Sequence, residues 1–177
     1  GVSFTNTVTS AFDLVGSATV SATDVNVTGG TSGYAVYQSS GTASFTACRI
    51  TNNTYGVFVG SGATSTSFDH CTIAFQTGVG TPAIETNVGA GHTMTVVSSI
   101  ISQNAGIGLQ RTNVGTFNAT YSNVWGNSGT FGAPPTSSAN TYASNVSGVT
   151  TALTQATYFN RSANPLFVDA AARNYRL

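Results

Sequence analysis

The sequence predicts an all-β solenoid, in which short strands stack in successive rungs of one elongated domain. The first observation is a repeat, because the pattern of the run from Ala43 to Asn53 recurs from Thr66 to Gln76. A fixed period in this range is typical of a solenoid, whose units bury their apolar faces only against their neighbours. The second observation is that no stretch shows a sustained helical period, so we expect essentially no long helix.

Further copies of the repeat begin at Val20, Met94 and Phe117. The interval between successive copies is constant, except that the step from Thr66 to Met94 is longer by five. The copies share small or apolar residues at the first, third and eighth positions, and most of them end on an amide or a glycine. Apolar residues two positions apart fit a strand, and Gly, Asn and Ser between the strands supply the turns. The pattern predicts about six rungs.

Residues 1–17 are predicted to form the later strands of a rung that begins before Gly1. Val2 precedes Val25 by one repeat, and Phe12 precedes Ala35 by the same interval. No amphipathic cap comes before them, although an open solenoid end leaves an unpaired strand edge. We therefore expect the N-terminus to be cut from a longer chain or covered by a partner.

The two rungs at 18–40 and 41–63 each contain a second strand pattern that follows a glycine. These second strands are predicted at 33–37 and 56–59, where aromatic or β-branched residues recur at intervals of two. Both rungs have the same length, so we expect them to stack directly.

The rung at 64–91 contains five extra residues, which fall between Gln76 and His92. Insertions in solenoids go to loops, often on the binding face. After Asn127 the period weakens. Residues 1–127 are therefore predicted to form the rungs, and residues 128–177 an irregular last rung and a loop-rich C-terminal cap of the same domain.

The rungs and the end of the chain resemble the right-handed parallel β-helix repeat proteins of the pectate-lyase-like superfamily. The residues that carry the resemblance are Cys48–Asn53, Cys71–Ile73, Ser98–Asn104, Tyr121–Asn127, Asn164–Asp169 and Asn174–Leu177. The resemblance implies an all-β, right-handed parallel β-helix of about six rungs. It implies no single activity, because this fold is found in lyases, hydrolases, epimerases, adhesins and structural proteins.

Composition excludes several classes of partner. Charged residues are only 6 % of the chain, there is no Lys, and five Arg balance five acids. Nucleic-acid binding requires a basic surface, and a membrane span requires about 18 consecutive apolar residues, so we expect neither partner. No metal or other cofactor is expected; Ca²⁺ is an option only under the lyase alternative.

Two columns of polar residues are predicted to have structural roles. At the end of successive repeats, amide side chains are expected to stack as a ladder; they are Asn53, Gln76, Asn104 and Asn127. Cys48 and Cys71 occupy the same repeat position, one repeat apart, so their side chains should lie about one strand spacing of ~4.8 Å from each other. We expect buried, reduced, stacked thiols, with an inter-rung disulfide as the alternative.

Acidic, basic and cationic side chains converge at one place in the predicted solenoid. Asp24, Arg49 and His70 fall on successive rungs of one surface, and Asp69 lies beside them. These four are the candidate catalytic residues, since polysaccharide cleavage uses clustered carboxylates or a Ca²⁺ site with a base. The alternative is a set of scattered surface residues. Glu85 and the nearby His92 form a second candidate pair, in or beside the predicted loop.

An uncharged, hydroxyl-rich face is predicted on the outside of the first strand of each repeat. Its candidate binding residues are Ser21, Thr23, Ser44, Thr46, Ser67, Thr95 and Thr120. Such a face suits a periodic ligand, such as a polysaccharide or ice, although Ser and Thr are also ordinary residues for the outside of a strand. Aromatic side chains could add platforms for sugar stacking, or could pack under loops; they are Tyr34, Tyr37, Tyr55 and Phe58.

Taken together, the sequence predicts an extracellular or cell-surface module without catalysis, which acts in adhesion, polysaccharide contact or self-assembly. The expected partner is a polysaccharide, or further copies of the chain that add through open rung ends. The alternative is a fragment of a polysaccharide lyase or glycoside hydrolase that acts on an extracellular polysaccharide. Sparse carboxylates and low charge favour the first prediction.

Overall fold

The computed structural model describes residues 1–7 and 9–127 and the backbone of residues 146–147. In these residues the chain is an all-β parallel solenoid of about five turns, without a helix. The predicted C-terminal cap, apart from the backbone of residues 146–147, lies outside the described residues.

The described strands run in chain order along the solenoid. They are β1 (Val2–Thr5), β2 (Phe12–Leu14), β3 (Thr19–Thr23), β4 (Val25–Thr28), β5 (Tyr34–Thr46), β6 (Arg49–Thr51), β7 (Tyr55–Asp69), β8 (Thr72–Ala74), β9 (Ile84–Thr86), β10 (Thr93–Val97), β11 (Ile100–Ser102), β12 (Leu109–Arg111), β13 (Thr116–Thr120), β14 (Asn123–Trp125) and β15 (Val146–Ser147).

The strands form three faces around a common core. The first face is the six-stranded sheet β1-β4-β6-β8-β11-β14. The second face is formed by β2, the first halves of β5 and β7, and then β9, β12 and β15; the third face is formed by β3, the second halves of β5 and β7, and then β10 and β13. The second and third faces belong to one nine-stranded sheet because β5 and β7 run continuously round the bend between them.

The bend in β5 requires a glycine. Gly41 has φ of 75°, and a Cβ atom at this position would collide with the carbonyl oxygen of Ala18. The pairing between β5 and β7 also shifts register on either side of this residue, between Gln38 and Ser40 and between Gly41 and Thr42. The strand predicted at the end of one rung and the strand predicted at the start of the next rung are therefore one bent strand, in β5 and again in β7.

A left-handed residue turns the corner between the third face and the first. It directly follows the third face on each rung, with φ between 49° and 54°, at Asp24, Ala47, His70, Ser98 and Tyr121. A second left-handed column follows the first face, at Asn6, Gly29, Asn52, Phe75, Gln103 and Gly126. A left-handed residue interrupts the in-and-out alternation of side chains along the chain. The corner residue Ala47 therefore explains why two consecutive positions of the repeat, Thr46 and Ala47, lie outside the core.

The core is filled by the inward columns of the three faces. Phe45 and Phe68 stack inside it on adjacent rungs, with ring centroids 4.9 Å apart and planes 7° apart. Ile50 and Ile73 pair in register on the first face, and both are buried. Stacking like residues in this way gives each rung the same cross-section, so the period of the sequence becomes the period of the structure.

One predicted register of the second face is wrong, and a second pairing departs from the repeat interval. Phe12 pairs with Val36, not with Ala35, because the step from Thr28 to Val36 is one residue longer than the step from Thr5 to Phe12, their partners on the preceding rung. Tyr34 pairs with Tyr55, although one full repeat from Tyr34 would end at Val57.

The insertion of the next rung lies where the sequence predicted it. Thr51 pairs with Ala74 at the standard repeat interval, whereas Ser65 pairs with Thr93 at an interval that is longer by five. The five extra residues therefore lie on either side of β9, four of them between Ala74 and Ile84 and one between Thr86 and Thr93.

Candidate functional site

The outward side chains of the third face form an array of three columns across five strands. Its positions are Thr19, Ser21, Thr23, Thr42, Ser44, Thr46, Ser65, Ser67, Asp69, Thr93, Thr95, Val97, Thr116, Asn118 and Thr120, paired in register from strand to strand. Twelve of these fifteen side chains carry a hydroxyl group. We call this array the hydroxyl face. From the strand spacing and the rise per residue, it measures roughly 19 by 13 Å.

All positions of the hydroxyl face are exposed or half-buried. Within the part of the chain that the structure describes, no hydroxyl of this face has a side-chain hydrogen bond. Asp69 is its one charged side chain. The hydroxyl groups are therefore available as donors and acceptors for a ligand or for water.

The structure places every predicted binding residue on the hydroxyl face and adds one further column. This column, which the sequence reasoning missed, consists of Thr19, Thr42, Ser65, Thr93 and Thr116. The sequence contained the signal for this column, because hydroxyl residues alternate as Thr-x-Ser-x-Thr from Thr19 and again from Thr42. The predicted outward pattern began two residues later, at Ser21 and Ser44.

Among the candidate catalytic residues, the structure brings Asp69 and His70 together. Asp69 Oδ1 lies 2.7 Å from His70 Nδ1, and the side chains are 47 % and 67 % exposed. Asp24 shares the corner column of His70 but lies two rungs away, about 10 Å by strand spacing. Arg49 is exposed on the first face, and in the described ranges it makes no ion pair with either acid.

The Asp69–His70 pair is not shielded from water. A glycoside hydrolase needs two carboxyl groups about 5 to 10 Å apart, one of them in an environment that keeps it protonated. Asp24 and Asp69 lie two rungs apart, about 10 Å between Cα atoms by strand spacing, and Asp24 is 61 % exposed. No cluster of three His, Cys, Asp or Glu side chains that could hold a metal ion occurs in the described residues.

Glu85 and His92 do not form the predicted pair, because the side chain of Glu85 faces outward from the solenoid and that of His92 faces the core. Glu85 is half-buried on the outer side of β9, where burial raises the pKa of its carboxyl group. His92 is buried, and burial lowers the pKa of its imidazole. Its Nε2 lies 3.2 Å from Oγ1 of Thr66, whose hydroxyl donates to Oε1 of Gln38 at 2.8 Å. The three side chains form a polar chain inside the core.

The four aromatic residues of the second face form one cluster around Tyr34. The Tyr34 ring lies 5.3 to 6.0 Å from the rings of Tyr37, Tyr55 and Phe58. Tyr37 and Phe58 are stacked, with centroids 5.5 Å apart and planes 10° apart. Burial, and then the nearby carboxylate of Glu85, raise the pKa of Tyr34. Because the ring faces cover one another, the cluster offers a sugar fewer stacking surfaces than the sequence suggested.

The four amides predicted to form a ladder lie in one buried column. The side-chain oxygen of each ladder residue accepts the backbone N–H of the column residue on the preceding rung, at 2.9 to 3.2 Å. The pairs, acceptor first, are Asn53 with Gly30, Gln76 with Asn53, Asn104 with Gln76, and Asn127 with Asn104. Their amide nitrogens donate to main-chain carbonyls of the adjacent rung. Each ladder residue thus satisfies the buried backbone of its neighbour, which leaves none of these amides available for a ligand.

A second ladder occupies the corner on the other side of the first face. Ser99 Oγ accepts the backbone N–H of Cys71 at 3.0 Å, and Ser122 Oγ accepts that of Ser99 at 3.2 Å. Cys48 and Cys71 lie in the same column, free and buried. Sequence reasoning placed these four residues at one repeat position but did not predict the hydrogen bonds between rungs.

Comparisons with protein-family models, with curated proteins and with solved structures find no match to this chain. In the described residues no helix has the length and hydropathy needed to cross a membrane. The functional interpretation therefore depends on the geometry of the faces.

Proposed function

We propose that this chain is a non-catalytic module that binds a linear, neutral polysaccharide along the hydroxyl face. The observation that supports the proposal is the register of twelve exposed or half-buried hydroxyl side chains, which lie in three columns on one face of the solenoid. Each hydroxyl can donate and accept, as the hydroxyls of a sugar do. One such hydrogen bond contributes only about 0.5–1.5 kcal/mol, so useful affinity needs many of them along a repeating ligand.

The charge of the face favours an uncharged glycan. Asp69 is its only ionisable side chain, and the arginines of the described residues lie elsewhere, Arg49 on the first face and Arg111 on the second. A polyuronate carries a carboxylate on each sugar and would find no cation opposite it on the hydroxyl face. A neutral chain of hexoses or N-acetylhexosamines avoids this cost.

We place this activity at the cell surface or outside the cell, in adhesion to polysaccharide, and we propose descent from the pectate-lyase-like superfamily. The parallel β-helix supports that relationship at the level of the fold. The closing motif at 164–169 supports it at the level of sequence. Self-assembly through strand edges at the ends of the solenoid is a separate proposal, and light scattering tests it through the size of the particles in solution.

Binding is tested by co-sedimentation with microcrystalline cellulose, chitin and insoluble β-1,3-glucan, with polygalacturonate immobilised on beads as the charged comparison. We expect the chain to leave the supernatant with at least one neutral polymer and to ignore polygalacturonate. The double variant Ser44→Arg and Ser67→Arg should abolish sedimentation, because two long charged side chains rise from adjacent strands at the middle of the hydroxyl face.

The matched control is Thr72→Arg, which puts the same side chain on the outward side of β8 in the first face. This variant should sediment like the unmodified chain. Equal binding by Thr72→Arg and by the double variant, or no binding to any of the neutral polymers, would show that the hydroxyl face is not the binding surface.

One contact keeps an enzymatic function as a second candidate. The hydrogen bond between Asp69 and His70 could orient an imidazole as a general base at the edge of the hydroxyl face. Incubation with the same polysaccharides should then release reducing ends or unsaturated products, and Asp69→Asn should remove that activity. Binding without product formation supports the non-catalytic function.

A further inference from the structure

Cys48 and Cys71 are neighbours on adjacent rungs of the solenoid. The strands that follow them pair in register, Arg49 with Thr72, so their Cα atoms are separated by about one strand spacing, ~4.8 Å. Both thiols are free and buried. Disulfides join residues whose Cα atoms are about 4.4–6.8 Å apart. The separation of the two Cα atoms therefore falls within the range that a disulfide spans.

The corner itself does not require sulfur. Cys48 Sγ and Cys71 Sγ each donate to the carbonyl oxygen two residues back, at 3.3 Å. The hydroxyls of Ser99 and Ser122 make the same bond on later rungs, at 2.7 and 2.9 Å. Because serine supplies the same bond, two thiols on adjacent rungs add a chemistry that the fold can do without.

We propose that Cys48 and Cys71 are an oxidation site, which hydrogen peroxide converts into a disulfide that joins two rungs. The Cys48 thiolate attacks one peroxide oxygen, the O–O bond breaks, and hydroxide leaves, so that Cys48 becomes a sulfenic acid. The sulfur of Cys71 then attacks the sulfenic sulfur, and the oxygen leaves as water with the proton of Cys71. In sum, two thiols are oxidised to one disulfide and one peroxide is reduced to two waters.

The surroundings favour Cys48 as the residue that peroxide oxidises first. The neighbouring Cys71 thiol lowers the pKa of Cys48, although burial opposes that shift. The same contact and burial raise the pKa of Cys71. The thiolate is the reactive form of cysteine. Ala47 and Arg49, on either side of Cys48 in the chain, are exposed, whereas Cys48 itself is buried.

The test is peptide mapping of the purified chain after treatment with hydrogen peroxide. The protein is unfolded, alkylated with iodoacetamide, digested and analysed by mass spectrometry. We expect one linked peptide that contains both residues, at the mass of the two thiol peptides less two hydrogen atoms, and its disappearance after dithiothreitol. Both thiols alkylated as fully as in the untreated protein, or a disulfide that joins only different chains, would refute the proposal.

Serine variants distinguish the roles of the two residues, and Ser99 and Ser122 indicate that such variants fold. In Cys71→Ser, Cys48 has no partner, so its sulfenic acid should persist and be trapped by dimedone. In Cys48→Ser, Cys71 should remain an unreacted thiol. Dimedone labelling of Cys71 in Cys48→Ser that equals the labelling of Cys48 in Cys71→Ser would overturn the proposed order. The map of the unmodified chain decides the proposal even if a variant fails to fold.

Discussion

Gln76 Oε1 accepts the backbone N–H of Asn53 on the preceding rung at 3.0 Å, and the backbone N–H of Gln76 is bound in turn by Asn104 Oδ1 at 3.0 Å. The ladder therefore joins rungs chiefly by bonds from a side chain to the neighbouring main chain. Each buried N–H in this column depends on a side chain that lies one repeat further along the sequence.

Removal of one ladder side chain should destabilise the solenoid. In Gln76→Ala the N–H of Asn53 and the carbonyls of Ile50 and Ala74 lose their bonds to the side-chain amide. Since a buried group without a partner costs about 1–3 kcal/mol, we expect the free energy of unfolding to fall by about 2–4 kcal/mol in urea titrations. Gln76→Asn, the residue used on the other rungs, should lose less than half as much. Equal losses in the two variants would contradict the ladder's role.

His92 should make the protein less stable as the pH falls. Burial lowers its pKa in the folded state, so the unfolded chain binds the proton more readily. The contribution of His92 to the free energy of unfolding is therefore fully present above the unfolded pKa of about 6.5 and declines as pH drops below it. Urea titrations from pH 7.5 to 5 should show the decline, and His92→Gln should reduce it.

The exposed His70 supplies the control for this pH dependence. Its ring is 67 % exposed, in contrast to that of His92. His70→Gln should therefore leave the decline below pH 6.5 in place. If His70→Gln removed it and His92→Gln did not, the buried imidazole would not be its source.

Two stacked aromatic pairs should differ in their contribution to stability. Phe68 is fully buried against Phe45, whereas Phe58 is half-buried against Tyr37 on the second face. Phe68→Ala should lower the free energy of unfolding by about 3–5 kcal/mol, because it leaves a cavity in the core. Phe58→Ala should lower it by about 0.5–1.5 kcal/mol through the lost ring contact. A Phe58→Ala loss as large as that of Phe68→Ala would mean that the aromatic cluster is part of the core.

A glycine at the start of β7 should tolerate no side chain. A Cβ atom at Gly56 would collide with the carbonyl oxygen of Ala83 on the next rung. We expect Gly56→Ala to lower the midpoint of thermal unfolding by several degrees, at least about 2 °C for each kcal/mol lost. Gly89→Ala is the control, because a Cβ atom there meets nothing within 4 Å. A shift at Gly89 as large as that at Gly56 would argue against inter-rung crowding as the cause.

The period of the sequence was enough to predict the pairings of the first and third faces, such as Val2 with Val25 and Ala43 with Thr66. It could not predict the register of the second face, because turns and bends there use different numbers of residues on different rungs. The position of His92 was also missed. Its neighbours were assigned to a loop, but His92 continues the inward alternation of β10, two residues before Met94. The third hydroxyl column could have been predicted from the alternation of hydroxyl and apolar residues that begins at Thr19. The ring geometry of the Tyr34 cluster could not, because it depends on side-chain packing between strands.

Because the corner ladders and the register of β5 with β7 connect each rung only to its neighbours, the length of the solenoid is an adjustable quantity. Excision of residues 43–65 would join Thr42 to Thr66, and Thr66 would inherit the place of Ala43, its in-register partner. Every downstream rung would move along the axis by one step of about 4.8 Å and would turn by the small rotation of one repeat. The solenoid can therefore be lengthened or shortened, by evolution or by design, through the insertion or deletion of whole repeats.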